Sequence, residues 1–105
     1  MDEILILTTV NEEDLAQEFI GELLEEHLIL SGCFFPVRTM FVWEGQMTID
    51  DEFKVILKAR EGNYPNIEDY IKEKHPYRAP EIIKLSAEFG SAEFKKFLVS
   101  QKRLE

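Results

Sequence analysis

Ile4-Leu5-Ile6-Leu7-Thr8-Thr9-Val10 is a short, β-rich run that is apolar on both alternating faces. That is the pattern of a strand buried on both sides, or nearly so. Asn11 is placed to cap a following helix, with Glu12, Glu13 and Asp14 suited to its first turn. Leu15, Phe19 and Leu23 fall on one stripe and Ala16, Ile20 and Leu24 beside it, which predicts a broad buried face through about Leu28. Gly32 interrupts, and a second strand is predicted from about Cys33 to Trp43. Glu44-Gly45 marks a tight reversal. The returning strand covers much of Gln46 to Arg60, with Asp50-Asp51-Glu52 as a place for a bend or bulge. Its second half is clear, since Phe53, Val55, Leu57 and Ala59 alternate with Lys54, Ile56, Lys58 and Arg60.

Glu61-Gly62-Asn63-Tyr64-Pro65 reads as a loop. Asn66 can cap a second helix, in which Ile67, Tyr70 and Ile71 share a face and Glu68 precedes Lys72 by one turn. Pro76 disfavours helix for the residue before it, so this helix ends near His75. Pro80 then directs the chain into a fourth strand from about Glu81 to Phe89. Gly90 breaks it, and Ser91 caps a last helix with Phe94, Phe97 and Leu98 turned inward.

The order is strand, helix, strand, strand, helix, strand and an extra C-terminal helix. This predicts an α+β domain over residues 1–105, a ferredoxin-like βαββαβ sandwich with one antiparallel sheet and its helices on one face. The central hairpin has arms of about 11 and up to 15 residues, against a usual strand of roughly 5–6. Arms that long project past a two-helix body, leaving Phe34, Phe35, Met40, Phe41, Val42 and Trp43 without cover. Either the hairpin curls over its own sheet or it pairs with another chain, and association is the reading adopted.

Composition narrows the partners. Apolar residues make up 45% of the 105, enough for one folded core. The net charge of −9 argues against nucleic acid, whose phosphates are met by clustered Lys and Arg, and is compatible with cations. An RNA-binding domain of the same strand order would carry a basic-aromatic signature on the third strand, and Phe53-Lys54-Val55-Ile56-Leu57 lacks it. Cys33 is the only cysteine, so no intrachain disulfide forms. Asp2 and Glu3 at the start do not resemble a secretory signal, and no apolar run suits a membrane span. A cytoplasmic protein is expected.

Chemistry is sparse. His27, Cys33 and His75 are scattered, so no single-chain zinc motif exists. His75, at a helix C-terminus, is either a cap or a ligand completed by carboxylates of its own or a second subunit. His27 reads as a surface or cap residue and Cys33 as a small buried apolar one. Asp50, Asp51 and Glu52 are consecutive, a solvated strand segment rather than a catalytic pair. No phosphate loop, nucleophile elbow or His-Glu-x-x-His is present, so no enzyme is expected.

Taken in order, several segments resemble the CutA family of divalent-cation tolerance proteins. They are Thr8-Thr9-Val10 with its acidic helix start, Glu25-Glu26-His27-Leu28, Trp43-Glu44-Gly45, a strand ending in Lys58, His75-Pro76-Tyr77, and Pro80-Glu81-Ile82. The resemblance implies a compact homotrimer of ferredoxin-like subunits, joined edge to edge and linked to tolerance of ions such as copper. Copper or another divalent cation would bind weakly near subunit boundaries, with His75 as ligand and Trp43, Lys58 and Tyr77 bordering the cleft. Trp43 reads more readily as an interface anchor, Tyr77 alternatively as a packed ring, and Lys58 equally as a solvated lysine. The alternative is small-molecule sensing in the manner of PII proteins, or a scaffold trimer without a physiological metal. One departure matters: where the family carries Ala-Cys-Val-Asn, this chain has Leu30-Ser31-Gly32-Cys33. Ser31 takes the cysteine's place, so no metal role of that cysteine carries over.

Overall fold

In the computed structural model, which describes residues 2–100, β1 (Glu3–Val10) leads into α1 (Glu13–Glu25) and then the hairpin of β2 (Ser31–Trp43) and β3 (Gln46–Arg60). A 3-10 turn at Glu61–Asn63 passes into α2 (Tyr64–Lys74), followed by β4 (Ile83–Ala87) and α3 (Ala92–Val99). The sheet is antiparallel in the order β2-β3-β1-β4, the ferredoxin-like arrangement expected.

Strand alternation decides where the core sits. Ile4, Ile6, Thr8 and Val10 face the same side as Val55, Leu57 and Ala59, their neighbours across the β1–β3 ladder. Ala16, Phe19 and Leu23 of α1 and Ile67 and Ile71 of α2 pack there, and all are fully buried. Each large apolar side chain so buried contributes about 1.5–3 kcal/mol. Gly32 permits a close approach of helix to sheet, since a Cβ there would lie 3.0 Å from Ile20 Cγ1 and 3.1 Å from Leu57 Cδ2. The opposite face of β1 is only half covered, with Leu5 beside Leu85 and Leu7 beside Ile83.

Several boundaries differ from those expected. Asn11 does not cap α1; Glu12 is the N-cap residue and makes no side-chain cap bond. The helix stops at Glu25, because His27 adopts a left-handed φ of 59°. The His27 N–H then donates to Leu24 O and the Leu28 N–H to Leu23 O, each at 3.0 Å. This is a Schellman ending with histidine where glycine is usual. Gly32 lies inside β2 rather than before it. The acidic run makes no bulge: the ladder continues unbroken from Ser31 opposite Lys58 to Trp43 opposite Gln46. Glu44 and Gly45 turn it with φ of 50° and 79°, the two positive values of a type I′ reversal.

Farther along, α2 begins at Tyr64 with Pro65 in its first turn, so Asn66 is not its cap; the Asn63 side chain instead donates to Leu28 O. β4 is five residues long, shorter than Glu81 to Phe89. Ser91 caps α3 as expected, its Oγ accepting from the Phe94 N–H at 3.1 Å. Leu98 is buried, whereas Phe94 and Phe97 are exposed. Cys33 is exposed too, because its β2 position places it opposite Ile56 on the helix-free face.

Candidate functional site

The segment from His75 to Ile82 runs as a strap between α2 and β4, near Thr9 of β1 and Glu52 and Lys54 of β3. Its start is fixed locally: His75 closes α2 by donating its N–H to Ile71 O, then turns extended ahead of Pro76. The residue is 8% exposed. Nε2 lies 2.8 Å from Thr9 O, and Nδ1 accepts the Tyr77 N–H at 3.1 Å. A carbonyl partner requires a proton on Nε2, and an N–H partner requires a lone pair on Nδ1, so His75 is a neutral imidazole in one tautomer. Burial pushes its pKa below the ordinary value, against the upward pull of the Thr9 carbonyl bond and the Glu52 charge. Phe19 meets the ring edge-on at 5.8 Å, and Tyr77 packs on it at 4.8 Å.

The Tyr77 hydroxyl donates to Glu52 Oε2 at 2.5 Å. Burial, then the hydrogen bond to Glu52, raises the phenol pKa, so Tyr77 stays protonated and remains the donor. Glu52 itself is 8% exposed, which corrects its reading as a solvated residue; Asp50 and Asp51 are exposed. A second clip lies beside the first. Glu81 Oε2 accepts from Thr9 Oγ1 at 3.0 Å and from Lys54 Nζ at 2.8 Å. The strap is thus held by two carboxylates and one imidazole, each with a named partner.

Of the four residues singled out from sequence, only His75 and Tyr77 meet within one chain. Trp43 sits at the hairpin tip opposite Gln46, six positions along β3 from Glu52, or roughly 20 Å. Lys58 lies as far the other way, half-buried between Leu5 and Ser31. Glu52, Glu81, Lys54 and Thr9 were not singled out. Alternation puts Glu52 and Lys54 on one face of β3, but which strap residues cross them is a tertiary fact.

A metal does not fit the strap as it stands. Both His75 nitrogens are engaged, and among the described residues no three His, Cys, Asp or Glu side chains converge as they would around one ion. Among them, too, no helix is long and apolar enough to cross a membrane.

Comparison with known proteins shows the family to which this fold belongs. A family model described as CutA1 divalent ion tolerance protein matches residues 4–101. The divalent-cation tolerance protein CutA of Pyrococcus horikoshii is 32% identical over 98 residues, spanning 93% of this chain and 96% of that protein. The protein of the same name from Thermus thermophilus is 30% identical over 95 residues, spanning 90% and 91%. Among solved structures, CutA of Synechococcus elongatus superposes with a TM-score of 0.88 at 25% identity, covering 94% of this chain and 88% of the other. CutA1 of Pyrococcus horikoshii gives 0.84 at 31% identity, covering 91% and 94%.

Proposed function

The chain belongs to the CutA1 divalent ion tolerance family, and on that premise we propose that it acts in divalent-cation tolerance as a homotrimer binding copper or a similar ion weakly where subunits meet. The observation that carries the association is the uncovered hairpin. Val42, Trp43 and Met47 are 72%, 63% and 70% exposed, and the molecule measures 47 × 28 × 23 Å. Among the described residues β2 and β4 form the two sheet edges with no further strand beside them, and Ile83 and Leu85 add apolar surface on the helix-free face. Paired edges and a second chain over the hairpin remove that exposure in one step. Trp43 serves as an anchor of this contact.

A binding role rather than a catalytic one suits the site, whose titratable groups are locked to one another. Because the strap of one chain offers no ligand set, a cation needs carboxylates from two chains, and 21 acidic residues against 12 basic ones supply candidates. His75 joins such a site only by releasing the Tyr77 N–H from Nδ1. A single, exposed cysteine and the absence of any required disulfide support a cytoplasmic setting. Small-molecule sensing is the second reading, favoured by Lys58, which is half-buried between Leu5 and Ser31 and has no ion-pair partner among the described residues.

Sedimentation equilibrium tests the assembly: a mass about three times 12.3 kDa is expected, and a monomer at micromolar concentration overturns it. Calorimetry with Cu²⁺ tests the ion. Saturable binding that weakens in His75→Ala places the site at the strap, whereas no saturable binding to the trimer leaves sensing as the function.

A further inference from the structure

At the end of the sheet away from the strap and the hairpin, α3 borders a half-open pocket of about 450 Å³. Its volume falls in the range of small-molecule sites, about 300–1,000 Å³. Phe89 and Leu98 give it apolar walls, and Arg60, Lys95 and Lys96 bring three cations to it. Glu3 is the one carboxylate in its described lining. Glu3 stands opposite Arg60 in the β1–β3 ladder, but its ion pair is with Lys95, at 3.8 Å. Arg60 and Lys96 have no ion-pair partner among the described residues.

An excess of cations here runs against the charge of the whole molecule, which is −9. Two cations without an ion-pair partner among the described residues, beside apolar walls, select a ligand that is both anionic and hydrophobic, because neither a bare anion nor a neutral hydrocarbon satisfies both surfaces. Phe89 is held as a wall by Phe94, whose ring lies 6.0 Å away. We propose that this cavity binds a small amphipathic carboxylate, its head met by Arg60 and Lys96 and its chain laid against Phe89 and Leu98. Arginine suits the head group through its planar, bidentate fork.

Octanoate titrated into the full chain, followed by calorimetry and amide chemical shifts, tests this. The expected result is one saturable site per chain, with shifts centred on Phe89, Lys96 and Leu98. 1-Octanol should bind about tenfold more weakly or worse, because it lacks the charge. The Arg60→Gln/Lys96→Gln double variant should lose about tenfold in octanoate affinity with the rest of its amide spectrum unchanged. Equal binding of octanol and octanoate overturns the proposal, since the cavity would then be merely apolar. So does undiminished binding in the double variant, and so do shifts confined to the hairpin or the helix-free face.

Discussion

The two halves of the central hairpin share one unbroken ladder and have opposite fates. Near the body, Val55, Leu57 and Ala59 are fully buried beneath two helices. Beyond Glu52, Met40, Val42, Trp43, Met47 and Ile49 keep the same backbone pairing with no helix over them. Backbone hydrogen bonds therefore hold both halves as strands, but only the proximal half gains from apolar burial within the chain. The distal half leaves apolar surface uncovered within the chain, and the Glu52–Tyr77 clip sits where one regime gives way to the other.

The largest expected effect breaks the proximal half. Leu57→Ala leaves a cavity under α1 and should cost about 3 kcal/mol, measured by urea denaturation at fixed protein concentration. Trp43→Ala should instead leave the body folded and weaken self-association by about 2 kcal/mol, read by sedimentation equilibrium. If Trp43→Ala unfolded the body as Leu57→Ala does, the two halves would not be distinct. Tyr77→Phe probes the boundary between them. It removes a donor from a buried carboxylate and should cost about 1.5 kcal/mol in thermal or urea unfolding. A loss near zero would mean that Glu52 finds water once released.

The smallest effect is one of pH. His75 is held neutral, with its folded pKa below the ordinary 6.5. Its contribution to stability is therefore complete above about pH 6.5 and is lost as pH falls from there through the folded pKa. Protonation would set a second N–H against the Tyr77 N–H. Urea midpoints between pH 7.5 and 5 should show this decline in the native chain and a shallower one in His75→Gln. Parallel slopes would assign the decline to carboxylates elsewhere.

Much of the comparison was legible in the sequence. The alternation of Phe53, Val55, Leu57 and Ala59 marked the buried face of β3, and the length of the arms marked the overhang. Two prolines located the strap, and the resemblance to CutA proteins rested on motifs spread along the chain. Helix ends were less legible: nothing in the residue type of His27 announced a left-handed ending, because glycine ordinarily takes that position. Cys33 was expected inside, but strand phase, set by the register with β3, turned it outward.

What the sequence by itself determined was periodicity and punctuation, and with them the element order, the buried faces of α1, α2 and β3, and the family. These are local properties, fixed by side-chain spacing along one segment. Only the tertiary structure decided that Glu52 receives the Tyr77 hydroxyl, that Glu81 joins Thr9 to Lys54, and that both nitrogens of His75 are already engaged. Except for the local bond from the Tyr77 N–H to His75 Nδ1, these contacts join residues 25 to 72 positions apart. Such pairs depend on where the strap crosses the sheet, and that crossing follows from the packing of the whole domain.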